Sequence, residues 1–331
     1  MSVGMQSQWD SFLKQGIPSQ AASVMLMAKR SSTQKQYDSY LKLWLKFCSE
    51  HSEDPFAHNI PLAITFLEQL RQQHQLGYSA LNTARSALSS IVIPLNDIPL
   101  GQQRLVKLYM RGAFNIRPPL PRYHDTWDPQ IILTLLKTWA PASTVSLKLL
   151  SFKVVILVLL VTGQRIQTLS LLSLDAMSID SNTETITFRI LDLIKQSRPG
   201  FKNPLVVLRR FPLDVDLCIV TYLLAYVQRT SSVRTSQTLF LSFQKPHQPV
   251  TKSTLARWVK HVMKLAKIDV QVFKPHSIRS ASTSAALRGG AQMEDILASA
   301  GWSNDSVFGK YYNRPLTTSI FDVAVLHNTR S

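Results

Sequence analysis

The residues best suited to chemistry lie in the second half of the chain, in four islands. Thr162-Gly163-Gln164-Arg165-Ile166 sets an arginine just after a glycine, where two predicted helices meet. Lys195 falls near the tip of a predicted hairpin. His276-Ser277-Ile278-Arg279 follows Pro275, and positions i and i+3 of a helix put the imidazole and the guanidinium on one face. Gly301-Trp302 precedes a short stretch that ends in Tyr311-Tyr312. Taken singly, these are ordinary surface cations and packing aromatics. Taken together they fit one task, the cleavage of a phosphodiester without a metal. That reaction needs a nucleophile, cations to stabilise a pentavalent phosphorane, and a proton donor for the leaving oxygen. Two arginines offer bidentate forks to non-bridging oxygens. A tyrosine can attack phosphorus and hold it covalently. A lysine can protonate the leaving 5′-oxygen, and a histidine can assist as donor or proton shuttle.

These side chains need elements to carry them. Leu147–Val161 reads as a long apolar helix ending near Thr162-Gly163, with a further helix over Arg165–Leu172. Residues 184–191 alternate, with Ile186, Phe188 and Ile190 on one face, and 204–211 read as a second strand. Pro199-Gly200 marks a turn in the connection between them. The rest of this half is helical again, so it reads as mostly α with a small sheet. The first half reads as a four-helix domain. Its first helix carries Tyr37, Tyr40, Leu41, Trp44, Leu45 and Cys48 at helical period behind a Ser32 or Thr33 cap. Helices over 62–74, 80–92 and 102–116 follow, punctuated by Pro61, Gly77, Pro94 and Pro99. The expected organisation is a helical domain over 1–116, a Pro-rich linker over 117–128 and a catalytic domain over 129–331, with Asp128 and Pro129 opening the first catalytic helix.

Composition narrows the function classes. The chain has 331 residues and 45% hydrophobic residues, enough for one large or two ordinary cores, and this excludes general disorder. Two cysteines, Cys48 and Cys218, exclude a disulfide scaffold and a Cys-ligated zinc site. The N-terminus lacks a secretory pattern. The longest apolar run, Val154–Val161, is eight residues, whereas a membrane span needs about 20. The expectation is a soluble intracellular protein with no membrane partner. With 37 Lys+Arg against 20 Asp+Glu, the formal charge is +17, which suits a polyanion such as nucleic acid. Both halves are basic. Lys29, Arg30, Lys35, Lys42, Arg85, Arg104, Lys107 and Arg111 in the first, and Lys202, Arg209, Arg210, Lys252, Arg257, Lys260 and Lys264 in the second, are candidate phosphate contacts.

The ordered set Arg165, Lys195, His276-x-x-Arg279, Trp302 and Tyr311 or Tyr312 resembles the tyrosine recombinases, the phage-integrase family. Arg279 to Trp302 is 23 positions and Trp302 to Tyr311 is nine, both typical of that family. The wording HSIRSASTSAALRGG and EDILASAGWSNDSVFGKYYNRP looks most like the recombinases of eukaryotic mobile elements of the DIRS and Ngaro kinds. The resemblance implies a SAM-like helical core-binding domain and an α+β catalytic domain that together clamp double-stranded DNA. It implies assembly as a dimer or tetramer on DNA, a nuclear location, and no metal, ATP or other cofactor. Residue by residue it implies that Arg165 and Arg279 clamp the scissile phosphate, Lys195 protonates the leaving 5′-hydroxyl, and His276 and Trp302 complete the pocket. A tyrosine then forms a 3′-phosphotyrosyl link, and religation to another strand gives recombination. The apolar tail over 316–331 is either an arm that docks on a neighbouring protomer or packing for its own domain.

Two points depart from the pattern. Where the family has Glu or Asp, three positions after its first arginine, this chain has Thr168; a hydroxyl can still accept a hydrogen bond. The nine-residue spacing selects Tyr311 as nucleophile, whereas the mobile-element look, with an aromatic pair ahead of x-Arg-Pro, selects Tyr312. Both are candidates, with preference to Tyr312. Thr168 also keeps open a DNA-binding protein that retained the fold and lost the chemistry. A type IB topoisomerase and a helical regulatory protein are further alternatives.

Overall fold

The computed structural model describes residues 1–315 apart from 121, 122, 195, 196, 198, 199, 201, 202, 204, 303–305, 307, 310 and 311. The chain divides into two compact units, Met1–Pro121 and Arg122–Ser331.

Among its described residues the first unit holds six α-helices where the sequence pattern leads to four. These are α1 (Val3–Lys14), α2 (Ser19–Leu26), α3 (Ser31–Glu50), α4 (Ile60–Gln73), α5 (Tyr78–Leu88) and α6 (Arg104–Ile116). The first escapes pattern reading because the face it buries is Gly4, Ser7, Gln8 and Ser11 rather than apolar. Gly4 lies against α3, where its N–H donates to Asp38 Oδ1 at 2.7 Å, and Ser11 Oγ donates to the Ile91 carbonyl at 2.6 Å. Polar bonds to neighbouring elements therefore do part of the work that apolar periodicity does elsewhere. The core proper is built at helical spacing from Leu41, Trp44 and Phe47 on α3, Phe66, Leu67 and Leu70 on α4, and Leu81, Ala84 and Leu88 on α5. The α3 helix starts at Ser31 behind Arg30 where the sequence suggests a Ser32 or Thr33 cap, and α5 starts behind Gly77, neither with a side-chain cap.

The second unit opens with α7 (Pro129–Lys137), capped by Asp128 with Pro129 at its first position, as its sequence indicates. Thr126 and Trp127, which the sequence reading places in the linker, are buried, and Trp127 belongs to this unit's core. Next comes α8 (Leu147–Thr162), buried from Leu150 to Leu159. A four-residue turn of helix, α9 (Ile166–Leu169), replaces the longer predicted one. Then follow β1 (Met177–Asp180), β2 (Thr185–Phe188) and β3 (Val206–Arg209) in an antiparallel sheet of order β1-β2-β3. Thr187 pairs with Ser178 on one side and Val207 on the other, while Ile186 and Phe188 point into the core. The outer strand β1 is largely exposed, so it shows no alternation to read. Last come α10 (Ile219–Thr230), α11 (Lys252–Leu265), α12 (Ser277–Arg288) and α13 (Met293–Ala300). The α8 helix meets α10, α11, α12 and β3. It is thus the central helix of this unit. No helix among the described residues is long and apolar enough to cross a membrane.

One cation lies inside this core. Lys153 on α8 is fully buried; its Nζ donates to the carbonyls of Leu136 at 2.7 Å and Trp139 at 2.8 Å and lies 3.7 Å from the Tyr222 ring centroid. Burial lowers its pKa to about 8. The neutral amine still has N–H groups for both carbonyls. Between about pH 8 and the ordinary lysine value of about 10.4 the unfolded chain holds a proton that the folded chain releases, so this group makes stability rise with pH across that window. Lys29 in the first unit, also lowered to about 8 by burial, adds to the same rise. Urea unfolding between pH 8 and 10 is expected to show it, and Lys153→Met to remove the part that belongs to the second unit.

Candidate active site

The site is built on the ends of two helices. The α8 helix stops at Gly163, which adopts a left-handed conformation with φ 59°, and α13 stops at Gly301, likewise left-handed with φ 68°. Each stop exposes a carbonyl at a helix C-terminus, where the peptide dipoles concentrate negative potential. Arg279, on α12, reaches both: Nη1 donates to the Gly163 carbonyl at 2.5 Å and Nη2 to the Ala300 carbonyl at 2.9 Å. The side chain is 1% exposed and its guanidinium carbon lies 4.1 Å from the Trp302 ring centroid and 5.3 Å from that of Tyr312. Burial first, and the charge of Arg165 second, lower its pKa to about 9, with Tyr312 opposing them. It stays charged at neutral pH. Arg165 immediately precedes the short α9, without a side-chain capping bond, and burial lowers its pKa against an opposing effect of Tyr312.

Tyr312 closes the site. His276 Nε2 and Tyr312 Oη are 3.1 Å apart, and the Trp302 and Tyr312 rings are 4.7 Å apart. Trp302 packs with Ile296, Ala300 and Phe308 in a small separate cluster that carries Tyr312 at its edge. The structure therefore brings Arg165, His276, Arg279, Trp302 and Tyr312 to one place. Lys195, Tyr311 and the tail over 316–331 lie outside the described residues. Thr168 is buried on α9. Neither arginine makes an ion pair with Asp or Glu among the described residues.

Several contributors have no signature at the level of single motifs. Gln164, 1% exposed, donates from Nε2 to the Ser299 carbonyl at 2.6 Å and so ties the ends of α8 and α13 together. Trp127 Nε1 donates to Ser277 Oγ at 2.9 Å, next to His276. Ser280 and Ser284 bond to the backbone of Tyr312. The one signal in the sequence is the density of hydroxyls in SIRSASTS on a helix with no apolar stripe. Several of the candidate phosphate contacts also have partners within the protein. Lys42 pairs with Asp38 at 2.9 Å, Arg210 pairs with Glu184, Arg85 donates to the Gly101 carbonyl, and Lys29 is bonded to Gln8. Lys202 lies outside the described residues.

What this arrangement can do follows from its donors. Arg165 Nη1, Arg279 Nε and Trp302 Nε1 are buried and have no hydrogen-bond partner among the described residues. Buried donors of this kind call for an acceptor. Two adjacent guanidinium groups with no carboxylate between them fit an oxyanion of tetrahedral or trigonal-bipyramidal shape. Among the described residues no group of three or more His, Cys, Asp and Glu side chains could hold a metal ion.

Two outcomes are expected. At matched ionic strength, sulfate or phosphate raises the melting temperature above its value in chloride, and Arg165→Ala diminishes the rise. Gly163→Ala destabilises by about 2 kcal/mol or more in chemical denaturation, because a left-handed residue resists a Cβ. That Cβ would also sit 2.9 Å from Thr283 Cγ2.

The family model that matches the chain is that of the phage integrase family, over residues 130–318. No curated protein matches it in sequence. Among solved structures it is similar to the Tn1549 transposon integrase in complex with transposon right-end DNA, with TM-score 0.58, 15% identity, and coverage of 100% of this chain and 99% of that one. It is similar to the XerH site-specific recombinase bound to palindromic difH substrate in a post-cleavage complex, with TM-score 0.58, 14% identity, and coverage of 93% and 84%. It is similar also to a lambda integrase tetramer bound to a Holliday junction, with TM-score 0.52, 14% identity, and coverage of 86% and 73%. At these identities the likeness is one of fold.

Proposed function

Since the chain belongs to the phage integrase family, we propose that it is a site-specific DNA recombinase that cuts and rejoins strands through a tyrosine–DNA bond. The observation that carries this reading is the meeting of a phenol, an imidazole and a buried guanidinium: Tyr312 Oη 3.1 Å from His276 Nε2, beside Arg279 and Trp302.

Tyr312 Oη attacks the scissile phosphorus while its proton passes to His276 Nε2. The P–O5′ bond breaks, a 3′-phosphotyrosyl bond forms, and the leaving 5′-oxygen takes a proton from Lys195. Arg165 and Arg279 hold the non-bridging oxygens and oppose the charge that accumulates on the phosphorane. Attack by a 5′-hydroxyl of another strand reverses each transfer and restores the enzyme. The bond energy is kept throughout, so neither ATP nor a metal enters the scheme.

The partner in this reading is double-stranded DNA, and the working form is a dimer or tetramer on it. The solved relatives support this: the transposon integrase and XerH are bound to DNA, and the lambda integrase is a tetramer on a Holliday junction. The helical first unit would act as the core-binding domain and the second as the catalytic one. Kinship with the DIRS and Ngaro recombinases, and with it a nuclear location, rests on the wording around Arg279 and Tyr312.

A nicked duplex library of randomised sequence, resolved on denaturing gels, tests the chemistry. Wild type and Tyr311→Phe are expected to give a covalent protein–DNA band, and Tyr312→Phe to give none while binding DNA as well. A band from Tyr312→Phe and none from Tyr311→Phe moves the nucleophile by one residue. DNA binding with no band from any form supports a protein that kept the fold without the chemistry.

A further inference from the structure

The nucleophile is held by its main chain as well as by its ring. Ser284 Oγ donates to the Tyr312 carbonyl at 2.6 Å, and Ser280 Oγ donates to the same oxygen at 3.2 Å. In the other direction the Arg314 N–H donates to Ser284 Oγ at 3.0 Å. Ser284 therefore both gives and accepts, spanning two peptide units of the tyrosine segment. Arg288, one turn further along α12, donates from Nη1 to the Arg314 carbonyl at 3.3 Å. The same helix carries His276 at its start and Arg279 in its first turn. Ser280 and Ser284 are 3% and 1% exposed, so water does not compete for these bonds.

We infer that Ser280 and Ser284 are positioning residues that fasten the Tyr312 backbone to the helix bearing His276 and Arg279. The inference rests on the strand-cutting reading above and adds to it the device that sets the attack distance. Helix spacing explains the choice of positions. Residues 280 and 284 are one turn apart and face the same side of α12. A serine hydroxyl there reaches outward to another segment when that segment offers a carbonyl, instead of bonding back to its own helix. Thr283 shows the contrast: its Oγ1 bonds back to the Arg279 carbonyl at 2.8 Å. A carbonyl fixed by two hydroxyls restrains the φ and ψ angles beside Tyr312. That narrows the arc over which its Oη can move, and misplacement of a reacting atom by about 1 Å can cost about a hundredfold in rate.

A matched control exists on the same helix. Ser282 Oγ donates to the Leu160 carbonyl on α8, so Ser282→Ala removes the same kind of bond aimed at a different element. The experiment compares wild type, Ser280→Ala/Ser284→Ala and Ser282→Ala in two measurements. Hydrogen exchange on the full chain reads the latch directly: the double variant is expected to exchange the Arg314 amide at least tenfold faster, and Ser282→Ala to leave it unchanged. Single-turnover capture of the nicked duplex library reads its consequence: the double variant is expected to form covalent product about tenfold more slowly at unchanged DNA affinity, with Ser282→Ala close to wild type. Equal exchange at Arg314 in wild type and double variant overturns the latch. Equal capture rates, or an equal loss in Ser282→Ala, overturn its positioning role. Failure of wild type itself to capture DNA, with the exchange difference intact, overturns the strand-cutting reading and with it that role.

Discussion

A guanidinium buried without a carboxylate is the constraint from which the site follows. Taking a charge from water costs several kcal/mol even after relaxation. Arg279 meets that cost with two main-chain carbonyls, both at helix C-termini, and with the face of Trp302. Hydrogen bonds to a charged group contribute about 1.5–3 kcal/mol each, and a desolvated cation over an indole about 2 kcal/mol. These terms suffice to keep the arginine charged, but they leave Nε unpartnered and Arg165 close enough to repel it. A group so placed is stable and electrostatically unfinished.

That one requirement accounts for features which otherwise look unrelated. Both helices must stop so as to turn a carbonyl inward, hence left-handed Gly163 and Gly301 at the two ends. The approach of α12 to α8 must be close, and at Gly163 there is no room for a Cβ. The aromatic under the guanidinium must be held by apolar neighbours, hence the cluster of Ile296, Ala300 and Phe308 around Trp302. The helix that carries Arg279 is enclosed on most sides, so its small hydroxyl residues serve as bonds to neighbouring segments rather than as contacts with water.

How much of this was legible in the sequence depended on whether a position acts by its own chemistry or by its partner's. The arginines, histidine, tryptophan and tyrosine pair stand out by type and order alone. Apolar periodicity gave α3, an unbroken apolar run gave α8, and alternation gave β2, because each buries carbon of its own. By contrast α1, which buries Gly4, Ser7, Gln8 and Ser11, has no apolar face to detect, and β1 is nearly all exposed. Trp127 sits among prolines and histidine in sequence, and only the fold shows it packed in the core with its indole bonded to Ser277. The partners of surface charge are hidden in the same way, since Asp38 beside Lys42 and Glu184 beside Arg210 emerge only in the fold.

Thr168 can now be weighed physically. An acid in its place would orient the neighbouring arginine and also cancel one positive charge. Thr168 cancels no charge on Arg165, and the main-chain carbonyls that fix a guanidinium in direction without cancelling its charge belong to Arg279. In the proposed chemistry the attacked phosphodiester carries one negative charge and the phosphorane more. A pocket that keeps two uncompensated cations therefore gains on the phosphorane relative to the ground state, which is the difference that accelerates a reaction. The opposing effect is the mutual repulsion of the arginines in the free protein, which adds to burial in lowering the pKa of Arg279. In the proposed chemistry a hydroxyl in place of the acid thus trades resting stability for field strength at phosphorus, while main-chain carbonyls set the direction of Arg279.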